Sequence, residues 1–299
     1  MATVLPARIE DLSPFLKEKC SLFVLLASEA RVGVILRRGP SKWWRVSLWN
    51  TKTDQIEGGQ WFHGSFYETR CDISPDGNLL LYFAGKYSPW EENRGYGSTY
   101  SAVSRPPYLT ALSLWPNSGT WGGGGVFLDN QTVVLHQGTQ HHPDHPPGPL
   151  KVLAHDSVPH KHPHARDGWC GAETSPPAKY FSPYRKSTGK VTLERTMYGF
   201  NCGCSYPKSG GSLHTLSRAS GEPIAAFQAY WADFDLDGVL VASAGGGLFR
   251  GVVPRRNGPL LWHQIAALAE ERFSPLPAPN WAEKWETQRS NKRRRKREG

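Results

Sequence analysis

The chain has 299 residues, 38% apolar and 20% charged, with 12 Trp, 31 Gly and 24 Pro. This content excludes a wholly disordered chain, and many aromatics among abundant turn formers argue for short strands with tight connections, against long helices. The formal charge of +9 says little about the body, because residues 289–299 carry +6 and leave +3 for the rest.

In chain order, residues 1–20 are mixed and predict a short helix or a closing strand. The apolar runs Leu22–Ala27 and Val32–Leu36, split by Ser28-Glu29-Ala30-Arg31, predict a hairpin. Residues 42–50 alternate around Trp44, Val46 and Leu48, and Thr51-Lys52-Thr53-Asp54-Gln55 supplies a turn before Ile56. Three later stretches read as one unit, a tight turn followed by an apolar strand. They are Ser74-Pro75-Asp76-Gly77-Asn78 with Leu79–Phe83, Leu128-Asp129-Asn130-Gln131 with Thr132–Leu135, and Phe234-Asp235-Leu236-Asp237-Gly238 with Val239–Val241. Asp76 and Asp129 are 53 positions apart, and Asp129 and Asp237 are 108 apart, so a degenerate unit near residue 183 completes the series. Leu261, Ile265, Leu268 and Ala269 predict an amphipathic helix over 260–271. After Ser274–Pro279, Trp281 and Trp285 are expected to pin the chain end to the body, and 289–299 forms a basic tail outside the domain.

The order Leu48-Trp49-Asn50, Thr53, Ile56, followed by Arg70-Cys71-Asp72-Ile73-Ser74-Pro75-Asp76-Gly77, resembles successive blades of tryptophan–aspartate-repeat and TolB-like β-propellers. The resemblance covers residues 43–87 and 213–253 and is weaker at 108–138. It implies an all-β chain, a β-propeller of about five to seven blades over residues 1–288. Repeated sheets of this kind make a core by stacking around an axis. A two-sheet sandwich also needs many short strands, but has no need to repeat the turn-plus-strand phrase.

Residues 139–212 depart from the pattern and read as an irregular insertion or a degenerate blade. Eight of the 11 histidines lie between His136 and His164, among prolines at 143, 146, 147, 149, 159 and 163. His141, His142, His162 and His164 are the candidate ligands for zinc, copper or nickel, with Cys202 and Cys204 as soft partners. Their spacing matches no known zinc pattern. A solvated loop is the simpler reading, and no cofactor is expected. Asp233, Asp235 and Asp237 fit half of a calcium loop, but the twelfth position is Ala244 where a bidentate Glu is needed. The glycine runs 122–125 and 245–247 lack the Lys-Ser/Thr pair of a phosphate loop, and there is no Gly-x-Ser-x-Gly elbow.

Arg94, Arg105 and Tyr108 follow a predicted strand, where propeller loops carry ligands, and are the candidate binding residues. Arg293, Arg294 and Arg295 in the tail would neutralise phosphates and are the one candidate contact for nucleic acid. Five scattered cysteines make a poor disulfide framework. Acidic residues precede the first apolar run, where a secretory leader would carry positive charge, and no stretch nears the roughly 20 apolar residues of a membrane span. The expectation is a cytoplasmic binding or scaffolding protein with a protein or small-molecule partner and no membrane contact. The alternatives are an enzyme, hydrolase or lyase, at the mouth of the propeller channel, or a metal-binding protein using the histidines.

Overall fold

The computed structural model describes residues 9–155, 168–171, 181–198 and 211–285. These form five sheets. The first holds β1 (Ser21–Leu26), β2 (Val32–Arg38), β3 (Trp43–Asn50) and β4 (Gln55–His63) in sequential antiparallel order. In the second, β5 (Ser65–Phe66) and β6 (Asp72–Ile73) both pair with β7 (Leu80–Gly85), followed by β8 (Thr99–Ser104) and β9 (Ser113–Asn117). The third pairs β10 (Gly125–Phe127) with β11 (Thr132–Leu135) and adds β12 (Lys151–Ala154) in parallel. The fourth runs β13 (Cys170–Gly171), β14 (Phe181–Ser187), β15 (Val191–Tyr198), β16 (Ser212–Arg218) and β17 (Pro223–Ala229). The fifth runs β18 (Trp231–Phe234), β19 (Leu240–Ala244), β20 (Gly247–Val252) and β21 (Leu261–Ala267). Two short helices, α1 (Pro89–Asn93) and α2 (Asn280–Glu283), complete the described elements.

The arrangement is an all-β propeller. β1 touches β6 of the second sheet and also β18, β19 and β20 of the fifth, while β10 touches β6 and β7. Inner strands of neighbouring sheets thus pack side by side, as repeated sheets must when each has two faces to cover. The three repeated sequence units are the β6–β7, β10–β11 and β18–β19 turns. They lie on one face with the β1–β2 turn and are linked there. The Glu29 amide donates to Pro75 O at 2.9 Å, the Asp76 amide to Asn130 Oδ1 at 2.9 Å, and Arg31 pairs with Asp237 at 2.7 Å. The glycines of two turns, Gly77 and Gly238, have φ of +78° and +75°, which explains why the unit carries glycine there.

The core consists of three apolar clusters between neighbouring sheets, with Trp49, Trp115 and Trp262 fully buried. Each such indole removes on the order of 200 Å² from water, so these clusters dominate the favourable side of folding.

The described segments before β1 and after β21 cross to sheets they do not belong to. Ile9 exchanges two backbone hydrogen bonds with Trp262 on the outer edge of β21, at 3.1 and 2.7 Å. Phe15–Lys17 then makes a single 3-10 turn. The chain after β21 crosses to the first two sheets, where Gln60 Nε2 donates to Leu276 O and Phe273 packs 4.5 Å from Trp43. Trp285 reaches the second sheet, its indole N–H donating to Ser113 Oγ at 3.1 Å, while Trp281 remains half exposed.

The helix expected over 260–271 is a strand instead. β21 pairs with β20 from Val252↔Leu261 to Gly247↔Ala267, and the buried residue is Trp262, which the helical spacing did not include. The open edge of β20 offers a row of backbone partners, and pairing with it outweighs a helix-compatible apolar spacing. Residues 136–150 run as loop and turns, whereas β14 and β15 are full strands of the fourth sheet joined at Thr188–Lys190.

Candidate functional site

The inner strands leave two cavities along the axis. The first, near the repeat turns, has a volume of about 390 Å³ and is walled by β1, β6 and β18. Phe23, Leu25, Ile73, Trp231 and Phe234 supply apolar surface, while Asp72, Lys186, Arg195, Asp233 and Asp235 supply charge. Alternation along β18 places Trp231 and Asp233 on one side of the strand, and the flanking sheets bring cations to meet the aspartate.

The carboxylates are internally satisfied. Lys186 Nζ lies 2.7 Å from Asp233 Oδ1, and the Trp169 indole donates to Oδ2 at 2.9 Å. The Asp233 carboxylate also accepts the Phe234 amide at 2.6 Å. Asp235 accepts the Asp237 and Val239 amides at 3.0 and 2.9 Å and takes Arg250 at 2.7 Å. The half-matched calcium loop is therefore a turn closed by its own backbone and an arginine. Asp72 accepts the Phe127 amide at 2.7 Å and ties the second sheet to the third. Lys186 keeps 18% of its side chain exposed, and the Arg195 guanidinium lies 3.9 Å over the Trp169 ring. Cys71 also lines the cavity, but burial pushes its thiol far up, which keeps it protonated and a poor nucleophile.

The second cavity, of about 400 Å³, lies at the opposite end of the axis and is lined by Lys17, Glu18, Lys19, Ser21, Arg38 and Tyr230 among others. Behind Tyr230 its hydroxyl donates to Glu68 Oε1 at 2.9 Å, linking the fifth sheet to the second. Burial raises the Glu68 carboxyl, with Tyr230 and Arg38 opposing the shift, and burial together with Glu68 raises the Tyr230 phenol.

The residues singled out from sequence fall elsewhere. Arg105 donates to Trp281 O, and Tyr108 stands edge-on to Trp281 at 5.5 Å, so these two meet the C-terminal segment. Arg94 is apart from them, its guanidinium 4.3 Å over Trp90 and its carbonyl accepting from His142 Nε2 at 2.8 Å. His142 is buried and stacked on Tyr96 at 4.5 Å. The Asp144 amide donates to His142 Nδ1, so both ring nitrogens are engaged. His141 donates through Nδ1 to His142 O. Among the described residues no group of three or more His, Cys, Asp or Glu is placed to hold a metal ion. His162, His164, Cys202, Cys204, Arg293, Arg294 and Arg295 lie outside the described residues.

Sequence reasoning missed Trp169, Lys186, Arg195, Glu68, Tyr230 and Arg38. They are spread over the chain with no shared motif, and only inner-strand positions of the repeat, such as Asp72 and Asp233, offered a signal. Among the described residues no helix is long and apolar enough to cross a membrane.

Set beside known proteins, the chain matches no family model and no curated relative. One solved structure similar to it is an oligogalacturonate lyase in complex with manganese, at 8% identity over 89% of this chain and 97% of that one, with a TM-score of 0.23. At that score the likeness bears on neither site nor activity.

Proposed function

We propose that this chain is a non-catalytic β-propeller binding protein that holds a small molecule on its axis, in the cavity near the repeat turns. The observation that carries the reading is an axis left open at about 390 Å³, walled by apolar side chains and by carboxylates that already have partners. Cavities of roughly 300–1,000 Å³ with apolar walls and few polar anchors are the usual form of small-molecule sites. The chemistry fits a ligand with an apolar body against Phe23, Ile73 and Trp231 and one acceptor group, a carboxylate or carbonyl, at Lys186. The protonated Cys71 thiol speaks against covalent chemistry there. The odd, scattered set of five cysteines, a poor disulfide framework, supports a cytoplasmic setting.

The test is calorimetric titration and thermal shift with phenylacetate and hexanoate as probes. Binding that weakens at least about tenfold in Lys186→Met supports the reading, by loss of one charge-assisted contact. No binding of either probe, or equal binding to the variant, would overturn it.

A second reading, an enzyme at the channel mouth, is favoured by the Glu68–Tyr230 pair, since a buried carboxyl raised beside a phenol suits a general acid. Glu68→Gln separates the two: a binding protein keeps its probe affinity, and an enzyme loses turnover. The histidine reading is tested by metal analysis of the full chain, where near-stoichiometric zinc, copper or nickel would favour it.

A further inference from the structure

Three cations line the far cavity, and among the described residues none of them forms a close ion pair, although Arg38 acts electrostatically on Glu68. Lys17 and Lys19 are exposed and Arg38 is half-buried. The one carboxylate in the lining, Glu18, is engaged by the Gly246 amide at 2.7 Å. Elsewhere in the molecule arginines facing the interior are committed: Arg37 to backbone carbonyls, Arg45 to Glu271, and Arg250 to Asp54 and Asp235. Arg38 differs: its guanidinium lies over the Trp44 ring at 5.6 Å and makes no close ion pair among the described residues. A cation–π contact of this kind orients the planar group and leaves its N–H donors available.

The setting is rigid. Ser21, Arg38 and Trp44 form one cross-strand row through β1, β2 and β3. Gly39, with φ of +117°, sits so close that a Cβ there would lie 2.4 Å from Lys19 O. Gly245, with φ of +55°, would clash likewise with Phe15 O at 2.2 Å. The glycines let the segment bearing Lys17 and Lys19 close over the end of the first and fifth sheets, holding it against Arg38.

We infer that the far cavity is an oxyanion site, where Arg38, Lys17 and Lys19 bind a phosphate-type dianion. Cations lining one cavity concentrate such anions, and the guanidinium fork matches two of their oxygens. No carboxylate among the described residues comes within ion-pair distance of Arg38. Glu68, with which Arg38 interacts only at longer range, has its carboxyl raised by burial and accepts from Tyr230. The site is separate from the cavity near the repeat turns and does not depend on what that cavity holds.

The experiment is titration of the full chain with inorganic phosphate, sulfate and phenyl phosphate, by calorimetry and thermal shift. Phosphate should bind, with affinity falling as ionic strength rises from about 0.05 to about 0.5 M. Arg38→Met should weaken it about tenfold or more, and the exposed double change Lys17→Ala/Lys19→Ala several-fold, with the apo melting temperature of the double variant unchanged. Tighter binding of phenyl phosphate than of phosphate would assign the anion to an organic phosphate, and equal binding to free phosphate. Lys186→Met should leave phosphate affinity intact, which separates this site from the other cavity. Absence of phosphate binding overturns the inference. So does undiminished binding in both Arg38→Met and the lysine double variant, or loss in Lys186→Met alone.

Discussion

Replacing Arg37 by Met tests how the propeller is held closed. Arg37 is fully buried on β2 of the first sheet, and its acceptors lie mostly on the chain leaving the last sheet. Its Nε donates to Leu268 O at 2.6 Å, Nη2 to Ala269 O at 2.8 Å and Glu271 O at 3.1 Å, and Nη1 to Gly39 O at 2.5 Å. The Glu271 carboxylate stands 3.6 Å away. Methionine fills similar space without donors and strands several buried carbonyls, each costing about 1–3 kcal/mol unless water or relaxation reaches it. Allowing for partial relaxation and for the relief of a buried charge, the expected loss is about 3–5 kcal/mol. For a domain of this size that is a melting-point drop on the order of 10 °C. Urea unfolding followed by circular dichroism measures it, and limited proteolysis should show earlier cleavage around residues 270–285. Arg37→Lys should recover part of the loss, because one ammonium reaches fewer of the four carbonyls. A loss below about 1 kcal/mol with an unchanged m-value would refute the claim that this guanidinium fastens the first sheet to the last.

Two further predictions concern stability. Burial and the neighbouring Arg195 push His214 down to about 3, so the folded chain keeps it neutral while the unfolded chain protonates near 6.5. Stability from this group is complete above pH 6.5 and declines as pH falls toward 3, at up to about 1.4 kcal/mol per unit. His214→Phe, which can keep the stack on Phe227, should flatten that part of the profile, and equal pH dependence of variant and parent between pH 7 and 5 would exclude it. Trp285→Ala removes both the Ser113 contact and the indole's packing on the third apolar cluster. It should cost about 2–3 kcal/mol by urea unfolding and expose the C-terminal segment to protease, whereas Trp281→Ala, half exposed, should cost less.

Turns and inner strands were legible because they are local. Asp76-Gly77 and Asp237-Gly238 need positive φ at glycine and an Asx oxygen to close the turn, requirements met by adjacent residues. The β1–β2 hairpin was readable for the same reason, two apolar runs around a polar break. The interval 260–271 was misread because its spacing suited a helix, and nothing within it announces the β20 edge it pairs with. The site was harder still. Arg94, Arg105 and Tyr108 stand out in the sequence by their loop position, yet two of them serve to seat the C-terminal segment. Lys186 and Asp233 lie 47 positions apart and Glu68 and Tyr230 162 apart, so neither pair leaves a trace in any local pattern.

By itself the sequence determined a repeated turn-plus-strand unit and an all-β architecture, because backbone conformation and strand alternation depend on near neighbours. Tertiary structure alone decided which charges meet in the cavities and which, like Arg38, make no close ion pair among the described residues. It also decided how the segments flanking β1 and β21 cross to neighbouring sheets. Those outcomes depend on where separate sheets are brought together, and the free energy of a charge is set by the partners and solvent it meets there.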